Sequence, residues 1–64
     1  MNEYKVIFET FSLEFGIRRK TEKVKANNYL FAQTLIKEKY MVTKIIKVHK
    51  LENNKIVETW NILN

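Results

Sequence analysis

The chain has 64 residues, a formal net charge of +5, no cysteine, no proline and one glycine. A domain this short buries roughly 60% of its unfolded surface, and such a core supplies only about 3–5 kcal/mol. Disulfides are excluded. With His49 the only histidine, so is a zinc site built from cysteine and histidine. Packing, self-association or a larger partner must therefore provide the remaining stability.

Residues 1–64 read as one domain without linker, repeat or low-complexity segment. The chain has no apolar run of about 18 residues and no secretory-type N-terminus, so a cytoplasmic protein without a membrane contact is expected. Part of the lysine excess reflects a composition rich in Lys, Asn and Ile, so charge alone does not define a binding surface.

The first two predicted elements are long strands meeting near Gly16. A three-residue Glu14-Phe15-Gly16 loop would place the glycine at the left-handed position, where a residue without Cβ costs least. Leu13 would then face Ile17, Val6 would face Val24, Tyr4 would face Ala26, and Phe11 would stand opposite Arg19. The resulting strands have about ten residues and span roughly 33 Å.

In "KVKANNYLFAQTLIKEKY" the period changes after Ala26. Asn27 and Asn28 precede a helical pattern, and asparagine is a good N-cap because its side-chain oxygen accepts from an unpaired first-turn N–H. A helix over about residues 28–40 is predicted, some 18 Å long. Its apolar arc comprises Tyr29, Phe31, Ala32, Leu35, Ile36 and Tyr40, and the opposite arc holds Gln33, Thr34, Lys37 and Glu38. Leu30 falls on the polar arc. Lys37 and Lys39 suit the negative pole of the helix dipole.

"VTKIIKVHKLE" and "KIVETWNIL" form the second predicted hairpin. An Asn53-Asn54-Lys55 loop sets Lys50 against Glu58, Val48 against Trp60 and Ile46 against Ile62. A two-residue Asn53-Asn54 turn would shift every partner and bring Lys47 beside Trp60.

An α+β fold follows, with element order β-β-α-β-β. Two antiparallel hairpins share one sheet, and a single helix packs on one face. The expected core is Val6, Phe8, Val24, Ala26, Ala32, Leu35, Ile36, Ile46, Val48, Trp60 and Ile62. The helix is too short to cover the first hairpin, so that hairpin's tip must project, fold back or meet a partner.

Catalysis finds few candidates. Ser12 is the only serine and His49 the only imidazole that could activate it. Glu9, Glu22, Glu52 and Glu58 lie among lysines, as ordinary cross-strand charge pairs do. A phosphate cradle needs several glycines. No enzyme, no catalytic residue, no metal ligand and no cofactor is expected.

Two surfaces remain. The first is the hairpin tip, Phe11, Leu13, Phe15 and Ile17 with Arg18, Arg19 and Lys20. It combines the aromatic anchors and arginines that protein interfaces favour, although it could instead curl over the helix end or pack on a second copy. The other is the sheet face away from the helix, with Lys5, Ile7, Lys23, Lys25, Ile45, Lys47 and His49, joined by Val57 and Thr59. Cations interleaved with aliphatics suit a nucleic-acid backbone, an acidic protein or a homodimer contact, and equally a solvated outer face. Only Phe11 offers an aromatic there, so a base-stacking platform is poorly supplied.

The opening "YKVIF", the "NN" before the helix, the closing "KLENNKIVETW" and the β-β-α-β-β order together resemble small phage-encoded inhibitor proteins. These include the antitoxin type that neutralises a bacterial messenger-RNA endonuclease toxin, and anti-CRISPR proteins. The resemblance covers most of the chain, implies inhibition by docking onto a host protein in the host cytoplasm, and assigns no residue a role. The positive charge departs from the acidic inhibitors that mimic DNA. A non-enzymatic inhibitor of a host protein is thus the first expectation. A small basic nucleic-acid-binding protein is the alternative.

Overall fold

A computed structural model describes residues 1–62. The expected end of the last strand at Leu63 lies outside them. Strands β1 (Asn2–Ser12) and β2 (Gly16–Ala26) are followed by helix α1 (Tyr29–Lys39) and strands β3 (Val42–Glu52) and β4 (Lys55–Asn61). The strands form one antiparallel sheet in the order β2-β1-β3-β4. The α+β fold with β-β-α-β-β order is therefore as read from the sequence. The strand order could not be read there. Because β2 and β3 both run antiparallel to β1, they are parallel to each other. Their connection needs a crossover element, which α1 supplies.

The core lies between α1 and one sheet face. Tyr4, Val6 and Phe8 of β1 are buried with Ala26, Ala32, Ile36, Ile45 and Val48, and Val24, Tyr29, Leu35, Tyr40, Val42, Trp60 and Ile62 pack around them. The strict alternation of buried and half-buried residues from Tyr4 to Thr10 marks β1 as a central strand with only one face beneath the helix. Trp60 stacks on Tyr29 with ring centroids 4.4 Å apart and sits 6.1 Å from Tyr4. At the other end of the helix, the Phe8 and Tyr40 rings lie 5.2 Å apart.

One core assignment is overturned: Ile45, expected on the outer face, is buried, and Ile46, expected in the core, is half-buried. Simple alternation back from Val48 would turn Lys44 inward. A bulge at Ile46 instead sets Ile45 against Phe8 and Lys44 against Glu9, and a second irregularity at Thr43 returns Val42 to the core side opposite Thr10. Two bulges thus bury an isoleucine and keep an ammonium out of the core, which avoids a large desolvation cost.

The helix is rotated from its expected face. Gln33, assigned to the polar arc, is buried, whereas Phe31, assigned to the apolar arc, is exposed. A helix lying on a sheet buries a stripe narrower than the half-circumference its apolar residues span, centred here on Ala32, Ile36 and Tyr29. Gln33 keeps a partner there, its side-chain nitrogen donating to the Tyr29 carbonyl at 3.4 Å. Asn28 caps the helix as expected, its Oδ1 accepting from the Phe31 N–H at 2.8 Å.

Both hairpin registers are refined. In the first, Leu13-Glu14-Phe15 forms the loop and Gly16 follows it with φ +73°. Val6 therefore faces Glu22 rather than Val24, and Phe11 faces Ile17 rather than Arg19. The sliding is by two residues, so no side chain changes face. In the second hairpin, Lys50 faces Glu58 and Val48 faces Trp60 as expected, but the turn is the two-residue one, with Asn53 and Asn54 at φ 53° and 63°. An extra residue at Val57 reconciles the short turn with the expected body register.

Candidate docking site at the hairpin tip

Helix α1, with 11 residues, is about 16 Å long, while the 11 residues of β1 extend for about 36 Å. The protein measures 36 × 21 × 19 Å. Its β1–β2 hairpin outruns the helical layer, and the tip projects rather than folding back.

A group of apolar side chains stands in solvent at this tip: Leu13 is 97% exposed, Ile17 64%, Phe15 61% and Phe11 40%. Phe11 and Ile17 are direct cross-strand partners on the face away from α1, and Leu13 and Phe15 belong to the loop. Ser12 holds that loop in shape, because its hydroxyl oxygen accepts from the Phe15 N–H at 3.0 Å. Gly16 completes the reversal in the left-handed region, which glycine enters without strain.

The cations expected at the tip divide. Arg18 remains with it, its guanidinium 5.1 Å from the centre of the Phe15 ring, a cation–π arrangement that holds both side chains at the apex. Arg19 reaches back to Glu9 at 3.9 Å, and Lys20 lies over the Tyr40 ring at 5.3 Å. Those two serve the body of the sheet.

Met41 belongs to the same surface and was not expected there. Its carbonyl accepts from the Phe11 N–H at 3.1 Å, and it is 70% exposed. Nothing in the sequence joins residues 11 and 41 until β3 is known to lie beside β1.

Below the tip, Glu22 marks the end of the helical layer. Its carboxylate accepts from the Tyr40 hydroxyl and from Lys39 Nζ, the latter at 3.0 Å. The Tyr40 hydrogen bond holds Glu22 below the ordinary carboxylate range; burial opposes it, and the hydrogen bond and charge of Lys39 add to the lowering. The Tyr40 hydroxyl and Lys39 are shifted up by the same bonds. This triad joins α1 to β2 and was missed, because Glu22 read as one more cross-strand partner of lysine.

The face away from α1 holds Lys5, Ile7, Lys23, Lys25, Lys47, His49 and Thr59 as expected, and lacks Ile45. His49 Nδ1 and Thr59 Oγ1 are 2.8 Å apart. Ser12 and His49 are not brought together: His49 faces Lys5, and Ser12 lies seven residues further along β1, about 23 Å away. Among the described residues no cavity is enclosed, no cluster of three or more His, Cys, Asp or Glu side chains forms, and no helix is long and apolar enough to cross a membrane. Comparison with known protein families, with curated proteins and with solved structures yields no match.

Proposed function

We propose that this protein is a non-enzymatic docking module that inhibits a host protein by inserting the tip of its β1–β2 hairpin into an apolar cleft with an acidic rim. The observation that carries this reading is the apolar apex, Leu13, Phe15 and Ile17, held in solvent by a turn that its own residues stabilise. Fully burying such a side chain is worth about 1.5–3 kcal/mol. The fold forgoes that gain at three neighbouring positions, and a cleft of matching shape would recover it. Arg18 stacked on Phe15 adds a charge that a carboxylate at the cleft rim would meet.

The resemblance to small phage-encoded inhibitors supports occlusion of a host enzyme, toxin or defence complex as the mode of action. A chemical role has less support, since Ser12 serves the turn and stands far from the only imidazole.

The test replaces Leu13 with a photo-cross-linking amino acid and, separately, introduces Phe15→Asp/Ile17→Asp. Cross-linking in host extract is expected to join position 13 to one protein, whose capture the double variant abolishes and whose activity the wild-type chain inhibits. Equal capture by the double variant, or a cross-link only to a second copy of the chain, contradicts the proposal.

A further inference from the structure

The strand order builds a second surface on the face away from α1, independent of the tip. Across β2, β1, β3 and β4, one row of cross-strand partners is Lys23, Lys5, His49 and Thr59. The row above it begins with Lys25 and Glu3, and the row below contains Ile7 and Lys47. Lys5 and Lys23 are thus direct partners, and Lys5 also has the His49 imidazole opposite and Lys47 on the diagonal.

Like charges placed directly opposite on a sheet destabilise it. Elsewhere this chain avoids the problem by pairing its carboxylates: Glu9 meets Arg19 and Lys44, and Glu22 meets Lys39. Among the described residues, no ion pair reaches Lys5, Lys23, Lys25 or Lys47. The imidazole senses the result, since burial and then the charges of Lys47 and Lys5 hold His49 below its ordinary range.

We infer that this row binds the phosphate backbone of a double-stranded nucleic acid. Strands lie about 4.8 Å apart, so Lys23 to His49 covers about 10 Å, enough to reach neighbouring phosphates of one strand. Charge complementarity selects the occupant. A second copy of the same face would set lysine against lysine. The rows contain no aromatic side chain on which an unpaired base could stack, so a duplex fits better than a single strand. Ile7 and Leu51 stand in the adjoining rows as apolar neighbours of the lysines.

The experiment is fluorescence anisotropy of the full chain with a labelled DNA duplex, a labelled single strand of equal length, and polyglutamate. Lys5→Gln/Lys23→Gln is compared with Lys37→Gln/Lys55→Gln, which removes the same charge elsewhere. The row variant relieves a like-charge pair and should fold at least as well as wild type, which Trp60 fluorescence verifies. If four phosphates are neutralised, duplex affinity should fall on the order of 100-fold between 50 and 200 mM salt. The row variant should lose on the order of 10-fold of that salt dependence, and the control variant should keep it. The proton resonances of His49 should also report a rise in its pKa when duplex is added. Absence of duplex binding at 50 mM salt overturns the inference. So does equal loss in both variants, tighter binding of the single strand or of polyglutamate, or an unmoved His49.

Discussion

The two ends of β1 carry similar side chains and meet opposite fates. Tyr4, Val6 and Phe8 are buried beneath α1, whereas Phe11 and the loop residues Leu13 and Phe15 stand in water. Composition does not distinguish them; the covering layer ends before Leu13 and Phe15, and Phe11 lies on the face that α1 does not cover. A helix rises about 1.5 Å per residue and a strand about 3.3 Å, so equal numbers of residues cannot cover equal distances. The helix end, with Tyr40 fastened to Glu22, draws the boundary between side chains that hold the fold and side chains that do not.

That boundary predicts a graded series of effects. Phe8→Ala, at the centre of the covered end, should cost about 3–5 kcal/mol. This equals the whole stability expected of so small a core, and circular dichroism should find the variant largely unfolded at room temperature. At the hinge of the tip, Gly16→Ala should cost about 1–2 kcal/mol through its positive φ alone. A Cβ there meets nothing within 4 Å, so Gly16→Asn should recover part of the loss in thermal melts. Asn28→Ala removes the helix cap and should cost about 1 kcal/mol, read as a fall of about 4–8 °C in melting temperature.

The boundary triad should appear as pH dependence. Glu22 has a folded pKa below its ordinary value, so its contribution is complete at neutral pH and is lost as pH falls through the glutamate range. Glu22→Gln should flatten that part of the melting profile. His49 is also shifted down, by burial first and then by Lys47 and Lys5. Its contribution is lost at higher pH, on acidification through about 6.5, which separates the two groups in one titration.

Much of the covered end was legible in the sequence, because its periodicities are strong. Alternation through β1 placed Val6 and Phe8, the two asparagines before Tyr29 placed the cap, and cross-strand matching of Lys50 with Glu58 placed the last hairpin. What failed did so for local reasons. The bulge that buries Ile45 responds to Lys44, which unbroken alternation back from Val48 would turn inward, and the strand's own pattern does not show where the alternation breaks. Gln33 and Phe31 exchanged roles because the helix sits on the sheet rotated towards Tyr29 and Tyr40, a choice that its own periodicity does not make. That the hairpin outruns the helix was foreseeable from lengths alone, whereas its projecting rather than folding back was not, and Met41 joins the tip only through the strand order.

On this division of β1, the apolar tip is surplus to the fold. Calorimetric melting of Phe15→Asp/Ile17→Asp beside the wild type, each at two protein concentrations a hundredfold apart, tests it most directly. Melting temperatures should agree within about 4 °C and not move with concentration, as for surface substitutions costing no more than about 0.5 kcal/mol. A drop of ten degrees or more, or a wild-type melting temperature that rises with concentration and a variant one that does not, would show that the tip packs on its own chain or on a second copy.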